Sequence, residues 1–412
     1  MPRVAVIGAG AAGVMAAIFA ATGGAETVLL ERTKDGGRKI LISGGGRCNV
    51  LPARLDESRF VTDSSANTLR KMVRSWPLAE QIAFFEHDVG IPLVEETESA
   101  KLFPASHKAR DVRDGLLALA RERGVRQQMD TRVTGVAPSA TGWRVDVDGA
   151  ESLHVDAVII ATGGLSVPAT GSDGMGLRLA TQLGHTVHET YAALTPVSAD
   201  PAPFGGLSGI SLPVTITARS TSRSATATGG FLFTHHGYSG PSVLDVSHVV
   251  VRARAAGVRD ATLTARWTAL DDSAVEQLLR PQGTRTLLGA VRTVLPDRLA
   301  SALLERAAVD GTRPLAELPK DERRRVVEML LRGPLPWTGD EGYKKAEVTG
   351  GGVNLAEVDA RTMESRIHPG LFLCGEVLDA FGPIGGYNFL WAWATGRAAG
   401  IGAARRGTEG PS

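Results

Sequence analysis

Residues Val4–Glu31 read VAVIGAGAAGVMAAIFAATGGAETVLLE and contain the most informative pattern of the chain. The apolar run Val4–Ile7 leads into glycines 8, 10 and 13, which have the G-x-G-x-x-G spacing. An alanine-rich, helix-prone segment follows, and a second apolar run, Thr27–Leu30, ends at Glu31. Strand, glycine turn, helix, strand and acid in this order predict a dinucleotide-binding βαβ unit.

Each glycine and the acidic residue of such a unit have a physical role. Gly8 permits the tight turn, Gly10 lets a pyrophosphate approach the backbone, and Gly13 lets the helix lie close to the strand. Ala11 and Ala12 open the helix, whose free N–H groups and positive dipole end attract phosphate. Glu31 can accept hydrogen bonds from ribose hydroxyls and would repel a 2′-phosphate. The pattern therefore favours FAD or NAD over NADP, and a ligand-free glycine turn explains less of it.

Composition limits the class of protein. The chain has 412 residues, 43% hydrophobic and 22% charged, which predicts a globular protein of two or three domains. The formal net charge of +1 gives no general argument for nucleic acid or membrane binding. With only Cys48 and Cys374, neither a disulfide framework nor a cysteine-based zinc site is expected. The simplest expectation is a cytoplasmic protein without a membrane segment.

A second glycine loop, GGRKILISGGGRCNV, occupies residues 36–50. Five glycines in one loop are costly in backbone entropy unless something must approach the backbone closely. Together with the neighbouring cations, they indicate contact with a pyrophosphate or a flavin edge. The alternative is a mobile surface loop. The candidate cofactor contacts in and before it are Arg32, Arg38, Lys39, Ser43, Gly44, Arg47, Cys48 and Asn49.

Helical patterns follow over residues 66–90 and 111–123, and β patterns over Thr131–Val136 and Trp143–Val147. The apolar run Val155–Ala161 predicts a buried parallel strand that returns beside the first βαβ unit. We place Val133 and the turn residues Thr162 and Gly163 near the cofactor. The turn at 170–176 resembles a phosphate loop but lacks the preceding strand and the following acid, which disfavours a second nucleotide site.

The middle of the chain has a different pattern. Between residues 194 and 267, β-type runs predict a small antiparallel sheet or barrel: Val214–Ala218, Ser224–Thr228, Phe231–Thr234, Val249–Ala253 and Ala261–Ala265. Residues 271–332 are helical in pattern. His235 or Tyr238 is a candidate to face the substrate, the alternative for His235 and His236 being an ordinary exposed turn. No carboxylate or cysteine accompanies these histidines, so a metal site is not expected.

The last seventy residues contain a second unit whose glycines would let the backbone lie close to a ligand. It consists of the strand Leu371–Cys374, then Gly375-Glu376, the loop glycines 385 and 386, and the apolar helix Asn388–Ala399. Glu376 could hydrogen-bond a ribityl hydroxyl. The helix that follows Gly386 would direct its positive end at the flavin N1–C2=O2 region, which gains negative charge on reduction. This unit favours FAD over NAD and adds Tyr387 and Asn388 to the candidate contacts.

These motifs together resemble the HI0933-like (BaiN/YhiN-like) flavoproteins. The resemblance is carried by GAGAAG at 8–13, ISGGGRCNV at 42–50, ATGGLSVPATGSDGMG at 161–176, FTHHGYSGPSVLDVS at 233–247, and VTGGGV, TMES and CGEVLDAFGPIGGYNFLWAWATG up to residue 396. The resemblance implies that the following residues contact FAD: Gly8, Gly10, Gly13, Glu31, Arg38, Arg47, Cys48, Glu376, Gly386 and Asn388. The segment GPLPWTGDEGYKKAEVTGGG departs from the commonest family pattern and indicates a distinct subgroup.

The resemblance implies an α/β fold, a Rossmann-type (two-dinucleotide-binding) FAD domain with an inserted β-barrel plus helical domain. The FAD domain would comprise residues 1–190 and 345–412, and the inserted substrate domain 191–344, with the barrel at about 191–267 and the helical part at about 268–336. We leave open the oligomeric state and whether FAD is covalently held.

The resemblance also implies an FAD-dependent oxidoreductase. A hydride would pass between flavin N5 and a small-molecule substrate held between the FAD and inserted domains, with NAD(P)H as a candidate electron donor for a C=C reductase. The candidate catalytic groups are His235, Tyr238 and Tyr387. Alternatives are an RNA uridine reductase, an amine oxidase and, in another class, a non-catalytic flavin-binding sensor. An RNA substrate predicts a basic groove on the inserted domain, formed by Arg252, Arg254 and Arg323–Arg325, although the net charge does not favour it.

Overall fold

The computed structural model describes residues 1–258 and 260–406. The chain forms two compact units. The first comprises Met1–Ala192 and the segment that starts at Glu347, and the second, the inserted unit, is Ala193–Ala346. Each boundary lies two residues from the one predicted.

A five-stranded parallel sheet forms the centre of the first unit. Its strands lie in the order Leu371–Leu373, Ala157–Ile160, Arg3–Ile7, Glu26–Leu30 and Arg126–Gln128. All four residues of Ala157–Ile160 are buried, because helices cover both faces of such a sheet and leave no solvent side. The predicted Rossmann-type βαβ unit and the returning parallel strand are confirmed.

The N-terminal and C-terminal parts of the chain pack against each other through two helices, Ala11–Thr22 and Tyr387–Arg405. A Cβ atom on Gly396 would overlap the carbonyl oxygen of Ala12, and one on Gly400 would overlap that of Ala16. Only glycine at these two positions allows the helix backbones to approach so closely. The close packing fixes the C-terminal helix against the helix that opens at Gly10.

The remaining elements of the first unit surround this centre. Its other helices are Arg38–Ile42, Ala66–Val73, Leu78–Ala83, Ala109–Glu122 and Met175–Gln182. Its other strands form two three-stranded antiparallel sheets and one pair: Leu51–Pro52, Lys101–Pro104 and Leu93–Glu96; Val133–Ser139, Gly142–Val147 and Leu153–Val155; and Val187–Ala193 with Val348–Val353.

The inserted unit contains a seven-stranded antiparallel sheet and helices. The strands lie in the order Gly333–Pro334, Thr262–Arg266, Ser211–Arg219, Ser224–Thr234, Gly237–Ser239, Val197–Ser198 and Gly339–Asp340. The helices are Pro241–Ala255, Asp272–Leu278, Leu287–Val291, Asp297–Arg306 and Lys320–Arg332.

One predicted strand of this unit is wrong. Val249–Ala253 lies inside the helix Pro241–Ala255. Pro241 occupies the first turn, where proline is well tolerated because that N–H has no helical partner. The valines are buried around much of the helix circumference, including Val243, Val246 and Val249–Val251. Burial on several sides removes the apolar stripe that would distinguish a helix from a strand in the sequence.

Across residues 1–258 and 260–406, no helix is both long and apolar enough to cross a membrane. In the same part of the chain, no group of three or more His, Cys, Asp or Glu side chains is arranged to hold a metal ion.

Candidate functional site

The glycine turn after the first strand has one open side. A Cβ atom on Gly8, whose φ is +99°, would lie 2.7 Å from the carbonyl oxygen of Ala161, and one on Gly13 would overlap the carbonyl oxygen of Gly8. A Cβ atom on Gly10 would meet nothing within 4 Å. Gly8 and Gly13 are therefore required by the protein itself, whereas the open space at Gly10 is available to a ligand.

The helix that starts beside Gly10 presents unpaired donors to this space. Its first turn contains no acidic residue, and no side chain caps it. Ala11, Ala12 and Gly13 occupy the first turn, where backbone N–H groups have no intrahelical acceptor. These N–H groups and the positive helix end suit a pyrophosphate, so the turn fits the pyrophosphate of FAD.

Glu31 lies at the end of the second strand, as predicted, and also holds the turn in shape. Its carboxylate accepts hydrogen bonds from the Ala9 N–H at 2.8 Å and from the N–H and hydroxyl of Thr33 at 2.8 and 2.7 Å. A carboxylate has about four acceptor positions, so capacity remains for a ribose hydroxyl.

The second glycine loop lies against the first. The Gly37 N–H donates to the carbonyl oxygen of Ala9 at 2.8 Å. Gly37, Gly44, Gly45 and Gly46 have positive φ angles, which explains the glycine content without invoking a mobile loop. The Ser43 hydroxyl donates to the carbonyl oxygen of Ile40 at 2.8 Å.

Three predicted cofactor cations are paired with carboxylates of the protein. Arg32 pairs with Asp173, Arg38 with Asp35 at 2.7 Å, and Arg47 with Glu96 at 2.9 Å. The Arg47 guanidinium also lies 4.3 Å from the ring centre of Phe103. All three pairs are partly exposed, so each arginine keeps N–H donors that face solvent.

Cys48 is fully buried. Burial raises the pKa of its thiol to about 12, although a hydrogen bond with Ser43 opposes the shift. A thiol with this pKa supplies almost no thiolate at neutral pH, which argues against a covalent bond to flavin.

Lys39 and Glu376 meet each other in the folded chain. The Lys39 ammonium donates to Glu376 Oε2 at 2.8 Å and to the Ser166 hydroxyl at 2.6 Å. Glu376 Oε1 accepts from the Ser166 hydroxyl at 2.7 Å and from the Thr349 N–H at 3.0 Å. This Lys39–Glu376 network joins four segments that are far apart in sequence.

The network keeps the Glu376 carboxylate ionised. Burial by itself would raise the pKa of Glu376, but the Lys39 ammonium and the three hydrogen bonds outweigh burial and hold the pKa below its usual value. Two of the groups, Ser166 and Thr349, were not identified from the sequence. No local motif signals them, since each is a single hydroxyl residue more than twenty residues from Glu376.

The start of the C-terminal helix is shaped by close contacts. Gly385 and Gly386 have φ angles of +127° and +87°, and a Cβ atom on Gly386 would overlap the backbone of Leu51. The Asn388 amide accepts from the Gly382 N–H and donates to the Gly382 carbonyl oxygen, both at 2.9 Å. In the orientation that satisfies both of its ends, the Asn49 amide accepts from the Gly386 N–H at 2.9 Å.

This helix start also lacks a side-chain cap and an acidic residue in its first turn. Its N–H groups are therefore available to an acceptor such as a flavin carbonyl oxygen. Gly375, before Glu376, donates its N–H to the Thr395 hydroxyl at 3.0 Å, so the same helix holds the Gly375-Glu376 turn.

The three candidate catalytic groups lie in different surroundings. His235 is exposed in the turn between Ser224–Thr234 and Gly237–Ser239. Tyr238 is 1% exposed, and its hydroxyl donates to the Pro336 carbonyl oxygen at 2.9 Å. Tyr387 is buried, and its hydroxyl contacts the Asp56 N–H and the Arg54 carbonyl oxygen. Both tyrosine hydroxyls thus already have partners, and His235 is the accessible member of the set.

The remaining predicted contacts border the parallel sheet. Val133 is buried at the start of the strand Val133–Ser139. Gly163 has a φ of +74° in the turn after Ala157–Ile160. The adjacent Thr162 hydroxyl is buried without a hydrogen-bond partner in the described part of the chain.

A buried network of Ser365, His185 and Glu357 resembles a hydrolase triad in its spacing. His185 Nε2 lies 2.9 Å from Ser365 Oγ, and His185 Nδ1 lies 3.0 Å from Glu357 Oε2. Ser365 Oγ already accepts from the N–H groups of Ile367 and His368, so its own proton points to a neutral His185. Ser365 is only 5% exposed. The network is structural, because the hydroxyl can neither reach a substrate nor act as a free nucleophile.

This network predicts acid sensitivity. Burial lowers the pKa of His185 below 6.5, and Glu357 opposes that shift only in part. The unfolded chain therefore binds a proton at pH values where folded His185 stays neutral, so the free energy of unfolding falls as pH decreases below about 6.5. We expect His185→Gln to flatten the pH dependence of urea unfolding between about pH 5 and 7, and to cost about 1–3 kcal/mol at neutral pH.

The control is His87→Gln, which changes an exposed histidine of the same unit. It should leave the pH dependence unaltered. A wild-type unfolding free energy that stays constant from pH 7 to 5 would contradict the assignment.

Comparisons with known proteins identify the family of the chain. The model of the HI0933-like protein Rossmann domain matches residues 2–402. The chain is 31% identical to a ribosomal RNA dihydrouridine synthase of Escherichia coli, over 95% of each chain. It is also 31% identical to a 3-dehydro-bile acid delta(4,6)-reductase of Clostridium scindens, over 98% of this chain and 100% of that protein.

Among solved structures, the 3-ketosteroid delta1-dehydrogenase of Sterolibacterium denitrificans is similar in fold. The TM-score is 0.55 at 12% identity, with 98% of this chain and 100% of that chain covered. The family model spans nearly the whole chain, and two relatives exceed 30% identity over almost their full length. The chain therefore belongs to the HI0933-like family and is an FAD-dependent oxidoreductase.

Proposed function

We propose that the protein reduces a carbon–carbon double bond conjugated to a carbonyl group, with NAD(P)H as the electron donor. One observation carries the proposal: two relatives of equal identity act on very different molecules, a ribosomal RNA and a bile acid. Dihydrouridine is uridine whose C5=C6 bond, conjugated to the C4 carbonyl, has been reduced. The delta(4,6) bonds of a 3-dehydro-bile acid are likewise conjugated to the C3 carbonyl. The bond type is common to both, whereas the rest of the substrate is not.

The first unit would hold the FAD. The pyrophosphate would lie at Gly10 and the first turn of Ala11–Thr22, the ribose near Glu31, and the isoalloxazine near the start of Tyr387–Arg405. Reduced FAD would supply the hydride that adds to the β carbon of the conjugated system. The positive end of the C-terminal helix would stabilise the negative charge of the reduced cofactor.

The α carbon must receive a proton, and His235 is our candidate donor. It is exposed on a tight turn, and histidine is the side chain that most often transfers protons in enzymes. The hydroxyls of Tyr238 and Tyr387 are already hydrogen-bonded within the protein, so we assign them no proton transfer.

The test is anaerobic reduction of the purified protein, first with NADPH and then with NADH, followed by addition of an acceptor. We expect a 3-keto-4-ene steroid or uridine-containing RNA to reoxidise the flavin, so that the visible absorbance of oxidised flavin returns. Recovery with the steroid alone selects a small-molecule enone, and formation of dihydrouridine selects RNA. Flavin that recovers with oxygen but with neither conjugated acceptor would contradict the proposal. His235→Ala should slow recovery, and His236→Ala serves as its matched control.

A further inference from the structure

Four arginines of the inserted unit surround one cleft. Arg324, Arg325 and Arg332 lie on the helix Lys320–Arg332, and Arg306 ends the helix Asp297–Arg306. These four residues, with Glu328 and the apolar side chains of Ala307, Met329 and Pro334, line a volume of about 260 Å³. We call this site the arginine cleft. The basic run at 323–325 thus contributes two of its three members to a concave surface.

The positive charges of the cleft are held in place. The Arg325 guanidinium donates to the carbonyl oxygens of Ala307 and Ala308, both at 2.9 Å, just beyond the end of the Asp297–Arg306 helix. Arg332 makes a two-point contact with Glu328, at 2.6 and 2.9 Å. The Arg306 guanidinium lies 4.7 Å from the ring centre of Phe204. Pre-oriented guanidinium groups lose little side-chain entropy when they bind a ligand.

Positive charge also exceeds negative charge around the cleft. Glu328 is the acidic residue in its lining. Asp321 lies 3.7 Å from Arg324 and Asp272 lies 3.6 Å from Arg332, but at least half of each of these four side chains is exposed, where such pairs are weak. A guanidinium has five N–H donors. The hydrogen bonds above use two of them on Arg325, whereas the contacts of Arg332 with Glu328 and Asp272 engage all three of its side-chain nitrogens. The donors left for a ligand are therefore mainly those of Arg306, Arg324 and Arg325.

We propose that the arginine cleft binds a phosphate group of a ligand. An arginine guanidinium can form bidentate hydrogen bonds with two phosphate oxygens. Several arginines around one small volume therefore suit a compact dianion. The phosphate could belong to a polynucleotide backbone or to a small phosphate compound, and the experiment separates these sources. The proposal does not rest on the reaction proposed above.

The experiment uses the FAD-loaded protein, so that the cofactor site is already filled. Two probes are titrated: inorganic pyrophosphate by calorimetry, and a fluorescein-labelled ten-nucleotide RNA by anisotropy over a series of salt concentrations. The test variant is R306Q/R324Q. A second variant, R324Q, changes only a side chain that is 76% exposed and leaves the Arg306–Phe204 contact intact. The control is R280Q, an exposed arginine of the same unit outside the cleft.

We expect R306Q/R324Q to weaken binding at least tenfold, R324Q to weaken it less, and R280Q to match the wild type. Weaker binding of pyrophosphate alone identifies a small phosphate compound. Weaker binding of RNA, with a salt slope reduced by about 0.7 for each lost phosphate contact, identifies a polynucleotide. Equal affinity of wild type and both cleft variants, or a wild type that binds neither probe, overturns the proposal.

Discussion

Gly10→Ala is expected to lower FAD affinity about 100-fold, which corresponds to about 2.7 kcal/mol, while the FAD-free protein folds normally. A methyl group at this position meets no protein atom within 4 Å, and the φ of −78° suits alanine. The added methyl group therefore occupies only the space in which we place the pyrophosphate. The measurements are the flavin content after purification, the Kd for FAD, and the thermal midpoint of the FAD-free protein.

Two matched variants make this result specific. Gly13→Ala should unfold the protein or lower its melting temperature strongly, because its methyl group would overlap the Gly8 carbonyl oxygen. Gly206→Ala, at an equally open position in the inserted unit, should change neither FAD binding nor stability. Unchanged FAD affinity in Gly10→Ala would remove the pyrophosphate from this turn.

The second large effect concerns the Lys39–Glu376 network. Lys39→Met should lower the free energy of unfolding of the FAD-free protein by about 2–4 kcal/mol, because it leaves a mostly buried carboxylate without its cation. The two side chains are only 27% and 17% exposed, so solvent screens their interaction weakly. Urea unfolding of the single variants and of K39M/E376Q gives the coupling energy directly.

The double variant should be more stable than Lys39→Met alone, since Glu376→Gln removes the unpaired charge. Arg47→Gln, in a pair that is 43% and 38% exposed, is the control and should cost less than about 1 kcal/mol. Equal losses for Lys39→Met and Arg47→Gln would show that Lys39 contributes no more than a surface cation.

Residues close together in the chain were predicted well. The first βαβ unit is recognisable from a pattern within about thirty residues. The steric cause is local at Gly13, whose Cβ atom would overlap the carbonyl oxygen of Gly8, whereas at Gly8 it comes from the distant Ala161. The buried strand Ala157–Ile160 was found for a related reason, since a strand covered on both faces is apolar throughout. The helix Pro241–Ala255 was missed because burial on several sides removes the periodicity on which such predictions rest.

The functional site divides in the same way. The cofactor class can be read from the amino-acid sequence, through the Gly8–Gly13 turn, Glu31 and the Gly386 helix start, because each belongs to a short motif of neighbouring residues. The partners of the charged side chains became known only from the folded chain. Lys39 and Glu376 are separated by 337 residues, and the four arginines of the cleft come from two helices. Side-chain pairing over such distances depends on how the elements pack, and no spacing within the chain encodes it.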